Sequence, residues 1–286
     1  MEDRPRAWSR VLHAAVAIVA AASAMSAVAC STPGMKRAKL PVRAASNPGD
    51  VPHEVLFSPQ IALASPQDAV VRILTPQMSC SGTLIEDDLV LTSHHCVVER
   101  GPQGQFTTNV LPGKDFRIEL GGDYLPWGSV TVKSVVAPPC GESGGGGDVA
   151  ILVLTRKLVG MPTMTARLDD APRIGEVIDP IGFGRCATSA DGIRRHIRMG
   201  GPINGTNAET VHMVASICPG DSGGPVVLRG SNVVVGVVSL SAMDGDERTS
   251  APSVMARIDA FRPVFNHARL IADGLSPAEL PPIECK

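Results

Sequence analysis

Aromatic side chains are scarce in this sequence of 286 residues, and neither sign of charge is in large excess. Phenylalanine, tyrosine and tryptophan make up only 3% of the residues, and the formal net charge at pH 7 is -2. A nearly neutral chain lacks the basic field that attracts nucleic acids or anionic lipid headgroups. The composition therefore gives no indication of a nucleic-acid partner.

An apolar run long enough to cross a membrane is also missing from the start of the chain. Residues 11–22 are too few and too rich in alanine for a comfortable span, but they follow positive charge at Arg4, Arg6 and Arg10. A charged start followed by a short apolar stretch is typical of a secretory signal peptide. We predict that residues 1–29 direct export of the protein.

The predicted signal peptide ends in "SAVAC", with small residues at the cleavage positions and Cys30 directly after them. We expect lipidation of Cys30, as in bacterial lipoproteins, and more than one acyl chain at this residue would anchor the protein stably to a membrane. Secretion after Ala29 and an uncleaved anchor are the alternatives. Residues 30–50 lack apolar periodicity, which predicts a flexible tether before a domain at residues 51–286.

The sequence has seven cysteines, and this number is informative in an exported protein because oxidising compartments favour disulfides. With Cys30 set aside an even number remains, which suits three disulfides, although six cysteines allow fifteen pairings. The remaining cysteines are Cys80, Cys96, Cys140, Cys186, Cys218 and Cys285.

The rest of the sequence favours short strands over long helices. Its 29 glycines and 24 prolines are spread along the chain, and short apolar runs alternate with turn signals from Ala69 onward. These runs predict an all-β protein, either a barrel or a sandwich. Residues 260–272 are an exception, because Phe261, Val264 and Leu270 follow the spacing of a helix.

The stretch "CPGDSGGPVV", residues 218–227, is the most specific motif in the chain. Its glycines favour a tight turn that presents the Ser222 hydroxyl where a substrate comes close to the backbone. The N–H groups of Gly220 and Ser222 would then point at one oxyanion, an arrangement that stabilises the tetrahedral intermediate of acyl transfer. A plain glycine-rich loop is the alternative interpretation.

A serine nucleophile needs a base, and the stretch "TSHHC" offers two histidines followed by Cys96. It resembles the "TAAHC" segment of the trypsin-like serine proteases, in which the base directly precedes the cysteine. The resemblance identifies His95 as the base and leaves His94 at a position where the family has a small residue. A zinc site is the alternative, but adjacent residues of a strand point to opposite faces, which makes a chelate of all three awkward.

The carboxylate that orients the base is expected at the start of a buried strand. The stretch "DVAILVL", which begins at Asp148, resembles the family's "DIALLKL", and the chain order His, Asp, Ser is that of chymotrypsin. Glu142 and Asp123 lack an apolar strand behind them. Without the other two motifs, Asp148 would read as an ordinary residue at a strand start.

The resemblance to the trypsin-like family extends over residues 70–272 and includes "IGFGR", "VVSLS" and "PSVMARI". It implies two packed six-stranded antiparallel β-barrels with a C-terminal helix, and a cleft in which one barrel supplies His95 and Asp148 and the other supplies Ser222. It implies a monomeric serine endopeptidase that acts on polypeptides without a cofactor or a metal ion. A non-catalytic binding protein on the same fold, with a disordered oxyanion loop, is the alternative.

The chain departs from the family at its activation site. The family's Ile-Val-Gly-Gly sequence is absent, and Ile61 is a poor replacement. In the family a released N-terminal ammonium pairs with the aspartate that corresponds to Asp221 and orders the oxyanion loop. The sequence leaves the partner of Asp221 open.

The resemblance also places four serines around the substrate pocket, namely Ser216, Ser239, Ser241 and Ser253. Ser239 matches the serine that hydrogen-bonds the triad aspartate, Ser216 matches the pocket floor, and the other two replace wall glycines. An uncharged floor and narrowed walls favour small or medium uncharged residues at P1 (the substrate residue before the cleaved bond). A pocket that gains negative charge from the loop acids Asp244, Asp246 and Glu247 is the alternative.

The expected disulfides follow from the same resemblance. The family brackets its base with a disulfide, which here joins Cys80 to Cys96. Cys186 is expected to pair with Cys218, because the turn after "GFG" lies beside the oxyanion loop in the family. Cys140 and Cys285 remain as the third pair, with the terminal helix returning Cys285 to the first barrel.

Overall fold

A computed structural model describes residues 65–121, 126–139, 141–186, 193–242 and 250–284. Strands dominate these residues, and one α-helix, α1 (Arg262–Ala272), follows the last strand. The predicted all-β class with a C-terminal helix is therefore confirmed. Several predictions fall on residues outside those described: the signal peptide, the tether, Cys30, Ile61, Asp123, Cys140, Asp244, Asp246, Glu247 and Cys285.

The first half of the domain is a closed six-stranded barrel with strand order β1-β2-β3-β8-β7-β6, and every neighbouring pair is antiparallel. Strands β4 and β5 form a separate hairpin beside it. The strands are β1 Val70–Leu74, β2 Ser79–Glu86, β3 Leu89–Thr92, β4 Val98–Arg100, β5 Phe106–Val110, β6 Arg117–Leu120, β7 Gly128–Val136 and β8 Ala150–Leu154.

The second half is a nine-stranded sheet whose main path runs β11-β10-β15-β16-β17-β14-β13. The short segments β12 and β13 follow one another in the chain, and β12 pairs with β10 while β13 pairs with β14. The sheet therefore curls back on itself toward a second barrel. The strands are β9 Thr165–Ala166, β10 Val177–Gly182, β11 His196–Ile197, β12 Gly201–Pro202, β13 Gly205–Thr206, β14 Thr210–Ala215, β15 Pro225–Leu228, β16 Val233–Ser241 and β17 Ala251–Arg257.

Helix α1 packs on the first barrel, against β7 and β8. It starts two residues after Ala260, with Pro263 in its first turn, where a missing N–H costs no hydrogen bond. Its buried face is formed by Val264, Phe265, Ala268 and Ile271. The predicted helix is present, but Leu270 does not belong to its buried face, because that side chain is 39% exposed and the neighbouring Ile271 is buried instead.

Ser81, on β2 of the first barrel, ties the two halves together beside the candidate nucleophile. Its backbone N–H donates to the carbonyl of Ser222 (2.8 Å), and its hydroxyl donates to the carbonyl of Gly220 (2.8 Å). The same hydroxyl accepts a hydrogen bond from the N–H of Phe183 (2.8 Å) in the second half. The two hydrogen bonds of this buried hydroxyl and the one from the Ser81 backbone together fix the turn around Ser222 against the first barrel.

Candidate active site

His95 is held by Asp148 through two separate hydrogen bonds. Its backbone N–H donates to Oδ1 of Asp148 (2.8 Å), and its Nδ1 lies 2.8 Å from Oδ2. Since an ionised carboxylate only accepts hydrogen bonds, the proton sits on Nδ1 and the Nε2 lone pair is free to accept another. The arrangement fixes both the orientation of the ring and its tautomer.

Asp148 lies directly before β8 and is completely buried. Burial alone would raise the pKa of its carboxyl, but the charge and hydrogen bonds of His95 and a hydrogen bond from Ser239 together hold the pKa below its ordinary value. Asp148 is therefore ionised at neutral pH. Ser239, at the far end of β16, brings the second half of the domain into contact with this carboxylate.

His94 has a different environment from its neighbour. It is buried, and neither ring nitrogen has a hydrogen-bond partner among the described residues. Burial lowers the pKa of its imidazole, because the charged form would lose its hydration. His94 is therefore a buried, neutral side chain just after β3.

The backbone at the two histidines differs from the strand that the sequence analysis assumed. Residues His94–Cys96 form a 3-10 turn after β3. The donor atoms of Cys80, His95 and Cys96 lie within 4.8 Å of one another, so strand geometry was the wrong argument against a metal site. The two sulfurs are joined to each other, and Nδ1 of His95 is bound to Asp148, so the group is a disulfide packed beside a histidine.

Ser222 lies on a tight turn that depends on two glycines in left-handed backbone conformations, Gly220 (φ +100°) and Gly223 (φ +77°). A Cβ atom on Gly223 would lie 2.1 Å from Oγ1 of Thr92 and 2.9 Å from the N atom of Ser93. The turn therefore packs directly against the segment that leads into His95. Among the described residues no hydrogen bond joins the Ser222 hydroxyl to the His95 ring.

Asp221, between Gly220 and Ser222, is completely buried and pairs with Arg198. Nε of Arg198 lies 2.7 Å from Oδ2, and Nη2 lies 3.2 Å from Oδ1. This pair supplies the partner that the sequence analysis left open. Arg198 has no local signal that sets it apart from Arg194 and Arg195, so the sequence alone could not have selected it.

Of the four predicted pocket serines, Ser239 contacts the triad residue Asp148, and Ser241 and Ser253 contact each other. Ser241 and Ser253 lie opposite each other on β16 and β17, and their hydroxyls share a hydrogen bond of 2.8 Å. Ser216 follows β14 and is buried. Ser239 donates its hydroxyl to Asp148, so its side chain serves the carboxylate.

Phe106 on β5 is a further neighbour of His95 that the sequence analysis missed. The two ring centroids are 4.9 Å apart, and the Arg100 guanidinium lies 4.8 Å from the centroid of Phe106. The hairpin of β4 and β5 therefore places an aromatic ring beside the imidazole, and a cation of the same hairpin contacts that ring.

Two of the three expected disulfides fall within the described residues, and both are formed. Cys80 is bonded to Cys96 with their Cα atoms 6.2 Å apart, and Cys186 is bonded to Cys218 with their Cα atoms 5.1 Å apart. The first lies beside His95, and the second adjoins the Gly220–Ser222 turn. Disulfides of this kind persist in oxidising compartments, which fits an extracellular protein.

The trypsin family model matches residues 58–265, more than half of the chain, and the chain therefore belongs to the trypsin family. Membership places it in the serine peptidase class of hydrolases, whose substrates are polypeptides. No curated protein sequence matches the chain. In the described part of the chain, no helix has the length and apolar character needed to cross a membrane.

Proposed function

We propose that the protein is a serine endopeptidase in which Ser222 is the nucleophile, His95 the general base and acid, and Asp148 the carboxylate that orients the base. The observation that carries this proposal is the pair of hydrogen bonds that Asp148 accepts from the backbone N–H and the ring Nδ1 of His95. It leaves Nε2 as the only ring nitrogen able to take a proton. The Ser222 turn packs against the same segment.

The reaction begins when the Ser222 oxygen attacks the carbonyl carbon of the scissile bond and its proton passes to Nε2 of His95. This step requires the hydroxyl and the ring to form a hydrogen bond as the substrate binds. The carbonyl electrons move to the oxygen, and the N–H groups of Gly220 and Ser222 stabilise the resulting oxyanion. The protonated His95 stays paired with the ionised Asp148.

The tetrahedral intermediate then collapses. The carbonyl bond re-forms, the carbon–nitrogen bond breaks, and His95 gives its proton to the leaving amine. A water molecule attacks the acyl-enzyme with His95 again as the base, which releases the acid product and restores the Ser222 hydroxyl. No step in this reaction requires a metal ion or a cofactor.

We propose a preference for small or medium uncharged residues at P1, such as Ala, Val or Thr. The hydrogen-bonded hydroxyls of Ser241 and Ser253 occupy space that glycines would leave open. The Ser216 side chain offers no counter-charge for arginine or lysine. Burial of an unpaired cation costs on the order of several kcal/mol, because the cation loses its hydration.

We further propose that the mature chain is exported with lipidated Cys30, and that Cys140 pairs with Cys285. Their chain neighbours Gly141 and Glu284 line one cavity of about 160 Å³. This proximity supports the third pair.

Hydrolysis of a peptide library by the purified protein tests the proposed activity and separates it from a binding protein on the same fold. We expect Ser222→Ala and His95→Ala each to remove nearly all turnover, by about 10⁴-fold or more in kcat. The matched control is His94→Ala, which changes the adjacent histidine and should retain most of the activity. Loss of turnover in folded His94→Ala, with His95→Ala still active, would overturn the assignment of the base.

A further inference from the structure

The Asp221 carboxylate is saturated by partners from within the domain. In addition to the guanidinium of Arg198, Oδ1 accepts a hydrogen bond from the N–H of Gly184 (2.8 Å) and Oδ2 accepts one from the N–H of Cys218 (2.9 Å). The Arg198 and Asp221 side chains are 3% and 0% exposed. A buried carboxylate with a two-point contact to a guanidinium is a strongly directional pair.

Two glycines, Gly182 and Gly184, leave the space that the Asp221 carboxylate occupies. A Cβ atom on Gly182 would lie 2.4 Å from Oδ1 of Asp221, and one on Gly184 would lie 2.4 Å from its Cγ. Two glycines of one segment therefore form a cradle that a larger residue would fill. The position of Asp221 is fixed by shape as well as by charge.

Arg198 also contacts the backbone that supports the proposed oxyanion hole. Its Nη2 donates to the carbonyl of Gly184, and a Cβ atom on Gly220 would lie 3.1 Å from the Cα of Gly184. The guanidinium therefore contacts both Asp221 and Gly184, the residue that packs against Gly220. Loss of the guanidinium would free both at once.

We propose that Arg198 is the positioning residue of the oxyanion hole, and that it holds the Gly220–Ser222 turn in its working conformation without a released amino terminus. This inference rests on the proposed peptidase function. The charge that neutralises Asp221 belongs to a side chain in the middle of the domain, so no cleavage within residues 1–64 is needed to supply it.

Three variants test the role of Arg198 in the full chain. Arg198→Met keeps a long side chain without charge and should lower kcat by about 10²-fold or more, the size of effect seen when one oxyanion donor is lost. Arg198→Lys keeps a charge and should retain part of the activity at neutral pH. The matched control is Arg229→Met, which breaks an ion pair with Asp179 on the surface and should leave kcat unchanged.

The pH profile separates positioning from a merely structural role. Among the described residues, Asp221 is the titratable group in contact with the Arg198 guanidinium, which also contacts the Gly184 carbonyl and the Cys186 sulfur. A guanidinium does not titrate, so the parent should keep its kcat/KM from pH 8 to about 10. A lysine ammonium has an ordinary pKa of about 10.4, below that of a guanidinium, so Arg198→Lys should lose kcat/KM at a lower pH than the parent does. Parent-like kcat in Arg198→Met, or an alkaline limit in Arg198→Lys no lower than that of the parent, would overturn the proposal.

Hydrogen exchange keeps this test independent of the proposed activity. The amides of residues 218–224 should exchange faster in Arg198→Met than in the parent, and they should exchange as in the parent in the control Arg229→Met. If the parent hydrolyses nothing, the proposed function fails, and unchanged exchange in Arg198→Met would overturn the positioning role itself. Mass spectrometry shows whether residues 31–64 are still attached to the parent protein. We expect the parent to be active with this segment attached. Activity that appears only after cleavage within the segment would contradict the inference.

Discussion

Replacement of Asp148 by asparagine changes one atom of the site and reverses the direction of the two hydrogen bonds that Oδ2 accepts. The asparagine carbonyl would stay opposite the His95 backbone N–H, because that group only donates. Its amide nitrogen would then face Nδ1 of His95 and the Ser239 hydroxyl in place of Oδ2. The ring would have to accept at Nδ1 and carry its proton on Nε2.

A histidine with its proton on Nε2 cannot take the proton of Ser222. We therefore expect Asp148→Asn to lower kcat by about 10⁴-fold, which corresponds to about 5.4 kcal/mol in the activation barrier. KM should change far less, because Asp148 is buried behind the ring and does not face the substrate.

The assay is steady-state hydrolysis of a peptide with a small P1 residue, with kcat and KM determined separately and folding checked by thermal unfolding. Asp148→Glu is a useful companion, since it keeps the charge but lengthens the side chain in a fully buried position. Folded Asp148→Asn with kcat within tenfold of the parent would refute the tautomer argument.

Three further predictions concern stability, specificity and anchoring. The pKa of His94 is lower in the folded protein than the ordinary value of about 6.5, so the unfolded chain binds the proton more readily and the free energy of unfolding should fall as the pH drops through this region. Chemical unfolding at pH 7.5 and 5 should show a smaller loss of stability for His94→Ala than for the parent. An equal loss in both proteins would contradict the assignment of His94 as a buried neutral side chain. Peptides with Ala at P1 should exceed those with Arg in kcat/KM by at least tenfold, about 1.4 kcal/mol, and Ser241→Gly with Ser253→Gly should reduce the disadvantage of Phe; a tenfold preference for Arg would show that the pocket assignment is wrong. Labelled palmitate should enter the parent, and Cys30→Ser should leave the membrane fraction; recovery of mature protein with an unmodified Cys30 would count against lipidation.

The candidate site could be predicted as far as its residues belong to local motifs. Ser222 and Asp148 lie in stretches whose glycines and apolar residues indicate a tight turn and a buried strand start, and "HHC" marks the base within two positions. The same holds for the strands, because their apolar runs are bounded by glycine and proline. Local sequence sufficed where local backbone geometry determines the feature.

The remaining features depend on contacts between distant parts of the chain. Arg198 pairs with Asp221 across 23 positions, and Ser81 contacts Gly220 across 139. Phe106 reaches His95 only because the hairpin of β4 and β5 folds back over the ring. Charged and aromatic residues at such positions resemble ordinary surface residues in the sequence, so only the fold identifies their partners.

The central claim is that His95 activates Ser222 as a nucleophile. Treatment of the folded parent with a fluorophosphonate, followed by mass mapping of its peptides, measures this directly, because the reagent bonds to a serine oxygen only when a base withdraws its proton. The account predicts one adduct per chain, on Ser222, and little or none in His95→Ala. An unlabelled parent, an adduct on another serine, or equal labelling of His95→Ala would contradict it.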